Sequence, residues 1–218
     1  MKTGNYMVVV IVGSTGLVGR ELIKKLLIDQ SFNKVISISR SPLGIQNSKL
    51  QEIHLQDLGQ LSKLSENLKG DVYFCALGTT IKEAKSQEQF IKIDKIAVLD
   101  FASIAKRHEG KFVVISAMGA STKSKFFYNR VKGEMEQALI DLKLKSLTVF
   151  RPGLLIGDRK KVRPAEKFAI EVFKVTDYFL PSTLNKRWAT KVDQLAKRML
   201  EESKKDDLGI RFISADEI

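Results

Sequence analysis

The chain has 218 residues, enough for one well-buried α/β domain with a short appendage, and its 44% hydrophobic and 28% charged residues argue against a disordered chain. Cys75 is the one cysteine, so no internal disulfide can form and a reducing compartment, hence a cytoplasmic protein, is expected. The net charge of +12 invites a nucleic-acid partner. The basic residues are scattered, however, as in Lys24-Lys25, Arg159-Lys160-Lys161, Lys186-Arg187 and Lys204-Lys205, with no basic helix interleaved with stacking aromatics and no zinc spacing. The charge reads as a solvated surface with some attraction for anionic small molecules.

In chain order, the apolar run Met7–Val12 is far too short to span a bilayer. Lys2 precedes it, but the run stops at Gly13 with no small-residue cleavage pattern, so it reads as a first strand and not as a leader. A glycine motif follows. Leu17–Ile28 has Val18, Leu22, Ile23, Leu26 and Leu27 on one face and Arg20, Glu21, Lys24 and Lys25 on the other, which is an amphipathic helix. Strands are expected at Lys34–Ser39, Gln51–Leu55 and Val72–Leu77, and a helix over 86–107. A strand at Phe112–Ser116, a helix over 126–143 and a strand at Leu147–Phe150 come next. Helices over 165–175 and 190–203 and a last strand at Ile210–Ile213 complete the chain. Thr190 and Asp193 form a capping-box start for the helix over 190–203.

Near-continuous apolar strands separated by helices imply an α/β protein with a parallel sheet covered on both faces. Right-handed crossovers make the sheet doubly wound, with ligands beyond the carboxyl ends of the strands. No repeat or linker divides residues 1–218, so a single domain is expected, with the residues after about 152 as a minimal substrate-side region and small C-terminal extension.

The first strand runs straight into Gly13-Ser14-Thr15-Gly16-Leu17-Val18-Gly19. The first glycine permits a tight turn, the second lets backbone approach a pyrophosphate, and the third allows close packing of helix on sheet. Placed between a strand and a helix, this is a dinucleotide phosphate site, and no Gly-Lys-Ser/Thr follows to make it a P-loop. Where an NAD site usually has an acid, the second strand ends in Ser39-Arg40; a guanidinium there suits a 2′-phosphate, so NADP(H) is the expected cofactor. Asp57-Leu58, after the third strand, occupies the place of adenine contacts; Asp57 reads equally as a helix N-cap.

Ser116 ends the fifth strand, and Tyr128 and Lys132 follow at i and i+4 of a helix, on the same side. A free tyrosine titrates near about 10, and an adjacent ammonium lowers that value, so the phenol could exchange a proton with a substrate oxygen while Ser116 hydrogen-bonds it. Lys132 would also hold a cofactor ribose.

With these residues the chain resembles the short-chain dehydrogenase/reductases, in particular their atypical branch of Tat-interacting oxidoreductases, over nearly its full length. The signatures are Cys75-Ala76-Leu77-Gly78-Thr79-Thr80, Ser116-Ala117-Met118-Gly119-Ala120, Phe127-Tyr128 through Lys132-Gly133-Glu134, and Phe150-Arg151-Pro152-Gly153-Leu154-Leu155 with Asp158-Arg159 and Arg163-Pro164. The resemblance implies an NAD(P)-binding Rossmann fold. It implies that Gly13, Gly16 and Gly19 hold the pyrophosphate and Arg40 the 2′-phosphate. Leu77, Gly78 and Thr79 would line the adenosine side, Pro152 and Gly153 the nicotinamide, and Ser116, Tyr128 and Lys132 would be catalytic. Many members carry an asparagine in the helix after the fourth strand; the nearest residue here is Asp94, to which no role is assigned.

Cys75, inside an apolar strand, reads as an inert thiol, and no Cys/His/carboxylate cluster has metal spacing. Trp188 either walls the pocket or packs the core, and the loop Arg159–Lys167 either covers the site, favouring anionic substrates, or is a solvated loop. The expected function is an NADP-dependent oxidoreductase acting on a small carbonyl or alcohol. An NADP(H)-sensing regulator of a protein partner is the alternative. A nucleotide-sugar epimerase or dehydratase is disfavoured, because only 66 residues follow Pro152. No membrane and no nucleic-acid partner is expected.

Overall fold

The computed structural model describes residues 6–157 and 189–218. Among these, β1 (Met7–Val12), β2 (Phe32–Ser39), β3 (Leu50–His54), β4 (Val72–Cys75), β5 (Lys111–Ile115), β6 (Ser146–Arg151) and β9 (Gly209–Ser214) form a seven-stranded sheet in the order β3-β2-β1-β4-β5-β6-β9. Every neighbouring pair is parallel. A separate two-stranded sheet pairs β7 (Leu154–Ile156) with β8 (Ala189–Lys191). The doubly wound parallel sheet expected from the strand pattern is the observed fold.

Helices cover both faces because the buried strands are apolar on both. From β1, Val9 and Ile11 pack on one side with Leu22, Ile23 and Leu26 of α1 (Leu17–Ile28) and Leu195 and Met199 of α6 (Val192–Ser203). Val10 and Val12 pack on the other with Phe101 and Ala105 of α4 (Ala97–Arg107) and Met135 and Leu139 of α5 (Phe127–Asp141). The strand order reverses between β1 and β4, and that switch point opens a crevice at the carboxyl ends of the strands.

Several expected elements differ in detail. The strands expected to reach Leu77 and Ser116 end at Cys75 and Ile115, which leaves Ala76, Leu77 and Ser116 in the loops at the carboxyl edge. The helix expected over 86–107 is α3 (Gln87–Ile91), a π turn over Lys92–Ile96, and α4, preceded by the short α2 (Ile81–Ala84). A 3-10 helix, Leu58–Asn67, follows Asp57, the residue that the sequence offers as a helix N-cap.

The capping box expected at Thr190 and Asp193 does not form. Thr190 belongs to β8, its hydroxyl accepts from the Gly153 amide at 3.1 Å, and Lys191 is the N-cap of α6. Asp193 is drawn instead to Lys25 of α1 at 2.6 Å. A tertiary partner for each side chain outcompetes the local motif. The helix expected over 165–175, the loop Arg159–Lys167 and Trp188 lie outside the described residues.

Candidate functional site

The glycine turn joins β1 to α1 at the switch point. Gly13 has φ +78°, and a Cβ there would lie 2.4 Å from the Ala76 carbonyl oxygen, so the turn is wedged against the chain leaving β4. A Cβ on Gly16 would meet only the Gly13 carbonyl oxygen, at 3.3 Å, which leaves the approach to the helix start open. Gly16 is the N-cap of α1, with no side chain to satisfy the first-turn N–H groups. A tight turn, a bare helix N-terminus and its dipole together make a cradle for an anion.

Of the residues between the glycines, Val18 is buried in the core and Leu17 is half-buried against Gly157. Ser14 is fully buried, and its hydroxyl accepts from Ser37 of β2 at 2.7 Å, so only its backbone faces the turn. The Thr15 carbonyl accepts from Arg20 Nε at 3.0 Å.

At the end of β2, the Ser39 hydroxyl donates to the Ser41 carbonyl at 2.7 Å and is buried. Arg40 is exposed, and its backbone carbonyl accepts from Gln56 Nε2 at 2.9 Å, which ties the ends of β2 and β3. Among the described residues its guanidinium has no ion pair. Asp57 takes the capping role left open by the sequence: its carboxylate accepts from the Gly59 amide at 2.9 Å and starts the 3-10 helix. Leu58 packs partly buried against the core beneath.

The loop after β4 holds Leu77, Gly78 and Thr79. Leu77 is half-buried over the core, and the Thr79 amide donates to Asp94 Oδ2 at 2.9 Å. A Cβ on Gly78 would come within 3.8 Å of Asp94 Oδ1. Asp94 thus closes this loop from below.

Ser116 follows β5 directly; its amide donates to the Phe150 carbonyl at 2.7 Å, and its buried hydroxyl has no partner among the described residues. The next turn is sewn to its surroundings. Met118 donates its amide to the Pro152 carbonyl at 2.9 Å, and Asn129 of α5 donates to the Met118 carbonyl at 3.1 Å. The Ser116 loop therefore lies between the Pro152-Gly153 turn and the helix that carries Tyr128 and Lys132. Glu136 of α5 grips Arg151, beside Pro152, in a two-pronged pair at 2.6 and 3.0 Å.

Lys132 is 2% exposed and its Nζ stands 2.7 Å from Asp94 Oδ1. Burial alone would lower the lysine, but Asp94 and Tyr128 together outweigh it and hold the ammonium above the usual lysine range. Tyr128 is half-buried, its ring 5.7 Å from that of Phe90.

Here an expectation is corrected. The ammonium was expected to lower Tyr128, yet the phenol lies above its ordinary value. Desolvation, the largest effect, raises it; the Lys132 ammonium lowers it, and the negative charge of Asp94 raises it again by disfavouring the phenolate. Burial pushes the Cys75 thiol up to about 12, in keeping with an inert thiol.

Asp94 is the member of this cluster to which sequence reasoning assigns no role. A signal was present: Phe90, Ala97, Val98 and Phe101 mark the buried stripe of the helical run, and a lone carboxylate on such a stripe demands a partner.

A family model described as HIM1 matches residues 43–190. The rat protein HTATIP2 is 35% identical over 196 residues, which covers 88% of this chain and 79% of the relative. Protein FMP52-1, mitochondrial, from Scheffersomyces stipitis is 32% identical over 216 residues and 95% of each chain. Among solved structures, MoeE5 in complex with UDP-glucose and NAD aligns with a TM-score of 0.70 at 15% identity, over 95% of this chain and 75% of its own, a likeness of fold alone. These relatives also correct the expected location: FMP52 proteins of several fungi are named as mitochondrial, not cytoplasmic. A lone buried thiol does not tell one reducing compartment from another. No helix among the described residues is long and apolar enough to cross a membrane.

Proposed function

The chain belongs to the HIM1 family, within the atypical short-chain dehydrogenase/reductases, and on that footing we propose that it is an NADP-dependent oxidoreductase acting on a small carbonyl or alcohol. The observation that carries this reading is the pairing of Tyr128 with a charged Lys132 on α5, against the loop that opens with Ser116, whose buried hydroxyl has no hydrogen-bond partner among the described residues. A dinucleotide fits the glycine cradle, because the open side of Gly16 admits a phosphate to the start of α1.

When bound, the nicotinamide gives or takes the hydride. The rest falls to this chain. Backbone around Gly13–Gly19 binds the pyrophosphate, and exposed Arg40 takes the 2′-phosphate. Leu77, Gly78 and Thr79 line the adenosine side, with Asp57 and Leu58 at the adenine end. Pro152 and Gly153 border the nicotinamide. Ser116 donates a hydrogen bond to the substrate oxygen, which orients it; Tyr128 then passes that oxygen a proton, or receives one in the oxidative direction. Lys132 holds the ribose and eases charge on the phenol oxygen. On this reading residues 1–218 are one domain, with the residues after about 152 as a minimal substrate-side region.

Following NADPH oxidation against a panel of aldehydes and ketones, with Tyr128→Phe alongside, tests this. Tyrosine-dependent turnover of any of them supports it, and tight NADPH binding without turnover removes it. The competing reading is a regulator that reports NADP(H) to a protein partner, which needs the phosphate and adenosine contacts but no proton transfer.

A further inference from the structure

Asp94 is fully buried, in a position that the pattern of its neighbours reserves for an apolar side chain. A carboxylate without water needs compensating charge or donors, so its surroundings carry information. One oxygen accepts from the Thr79 amide at 2.9 Å and the other stands 2.7 Å from Lys132 Nζ. Asp94 sits within the π turn over Lys92–Ile96, on the stripe marked by Phe90, Ala97, Val98 and Phe101. The adjacent Lys95 pairs with Glu134 of α5 at 2.8 Å. Two neighbouring residues of opposite sign thus grip two positions of α5.

We infer that Asp94 is a positioning residue for Lys132, fixing the ammonium to the loop after β4 and competing with Tyr128 for its charge. The inference rests on reading Tyr128 and Lys132 as the working pair of an oxidoreductase. The Thr79 amide would donate equally well to an amide oxygen, so the hydrogen bond alone does not call for a carboxylate. The ammonium does. With three N–H groups, Lys132 can face Asp94 and still serve the phenol and a cofactor hydroxyl.

The titratable groups around this ammonium are Asp94 from the π turn, Tyr128 from α5 and Cys75 from the end of β4. The thiol, pushed up to about 12, stays neutral, which leaves the balance to the other two. The carboxylate favours the charged lysine and disfavours the phenolate. It therefore holds both protons at the site.

Asp94→Asn keeps the shape and the Thr79 acceptor and removes only the charge. In protein carrying 13C-labelled tyrosine and lysine, assigned with Tyr128→Phe and Lys132→Met, an NMR titration reads both groups. The first proton should leave the Tyr128–Lys132 pair at lower pH in Asp94→Asn than in the wild type. A merely structural Asp94 would lower the melting temperature and leave that titration in place, and an unmoved titration overturns the inference. Should Asp94→Asn fold too poorly to titrate, the double variant with Lys132→Met removes both charges and should melt higher than Asp94→Asn alone. A double variant that melts no higher also overturns it. Neither readout needs turnover: a wild type that reduces no carbonyl ends the oxidoreductase reading while the titration still decides Asp94.

Discussion

A Cβ on Gly19 would lie 2.2 Å from the carbonyl oxygen of Gly13, so the first turn of α1 rests directly on the turn that leaves β1. The close fit has two consequences. It sets the helix N-terminus over the carboxyl end of the sheet, and it leaves the turn no slack to absorb a larger residue. Gly19→Ala should lower stability by roughly 1–3 kcal/mol, the usual scale for overpacking a tight site, and weaken dinucleotide binding more than tenfold. Urea denaturation with a parallel NADPH titration checks both. An alanine variant that binds as the wild type does would show that the turn is not the phosphate site.

Arg40 supports the choice of dinucleotide. It is exposed at the end of β2, where an acidic residue would otherwise meet the ribose hydroxyls. NADPH should bind at least about tenfold tighter than NADH, ~1.4 kcal/mol, which one charge-assisted contact can supply. Calorimetry of the wild type and of Arg40→Asp checks this, and the variant should lose or reverse the preference. Equal affinities in the wild type would exclude the assignment.

Features fixed by local pattern were legible in the sequence. Val9–Val12 announce a strand buried on both faces, and the spacing of Leu22, Ile23, Leu26 and Leu27 sets α1 to the residue. The glycine spacing was equally plain, because each glycine answers a local demand of backbone geometry. What depends on distant partners was not. Asp94 and Lys132 are far apart in sequence, and the packing of α5 against the helical run that carries Asp94 brings them to 2.7 Å. The net effect on Tyr128 is hidden for the same reason: an ammonium one helical turn away is visible in the sequence, but the burial of the phenol, which outweighs it, and the Asp94 carboxylate, which adds to that burial, depend on the fold. Thr190 likewise looked like a cap until Gly153 claimed its hydroxyl.

Stability should fall steeply in alkali, and Cys75 should account for part of the slope. Burial pushes its thiol from 9.0 to about 12, and burial raises Tyr73 from 10.0 to about 12. A group whose folded value is raised contributes its stability in full below the unfolded value. That contribution is lost as pH climbs toward the folded one, because the unfolded chain gives up the proton first. Over about pH 9–12 for Cys75, and about pH 10–12 for Tyr73, each group should cost about 1.4 kcal/mol per pH unit. Cys75→Ala should flatten the fall by one proton over its range, as read from denaturant midpoints at several pH values. An unchanged slope would mean that the thiol is not held neutral by burial.

Tyr128→Phe separates an enzyme from a cofactor sensor. The substitution removes one hydroxyl and keeps the ring against Phe90, so folding and NADPH affinity should change little. Turnover of any accepted carbonyl should fall by roughly a hundredfold or more, the scale for losing a positioned acid. Lys132→Ala is the contrasting case. It strands the buried Asp94 carboxylate without its counter-charge, so stability should drop by roughly 3–5 kcal/mol along with both turnover and cofactor affinity. An enzyme therefore shows a kcat defect alone in the tyrosine variant and a mixed defect in the lysine variant. A sensor shows neither kinetic effect. Instead, a partner protein distinguishes the NADP+ and NADPH forms, and Tyr128→Phe leaves that distinction intact. Because the phenol proton is held by burial and by Asp94, turnover in the oxidative direction should rise with pH as the phenol ionises. A flat profile across the alkaline range would mean that Tyr128 is not the group that moves the proton.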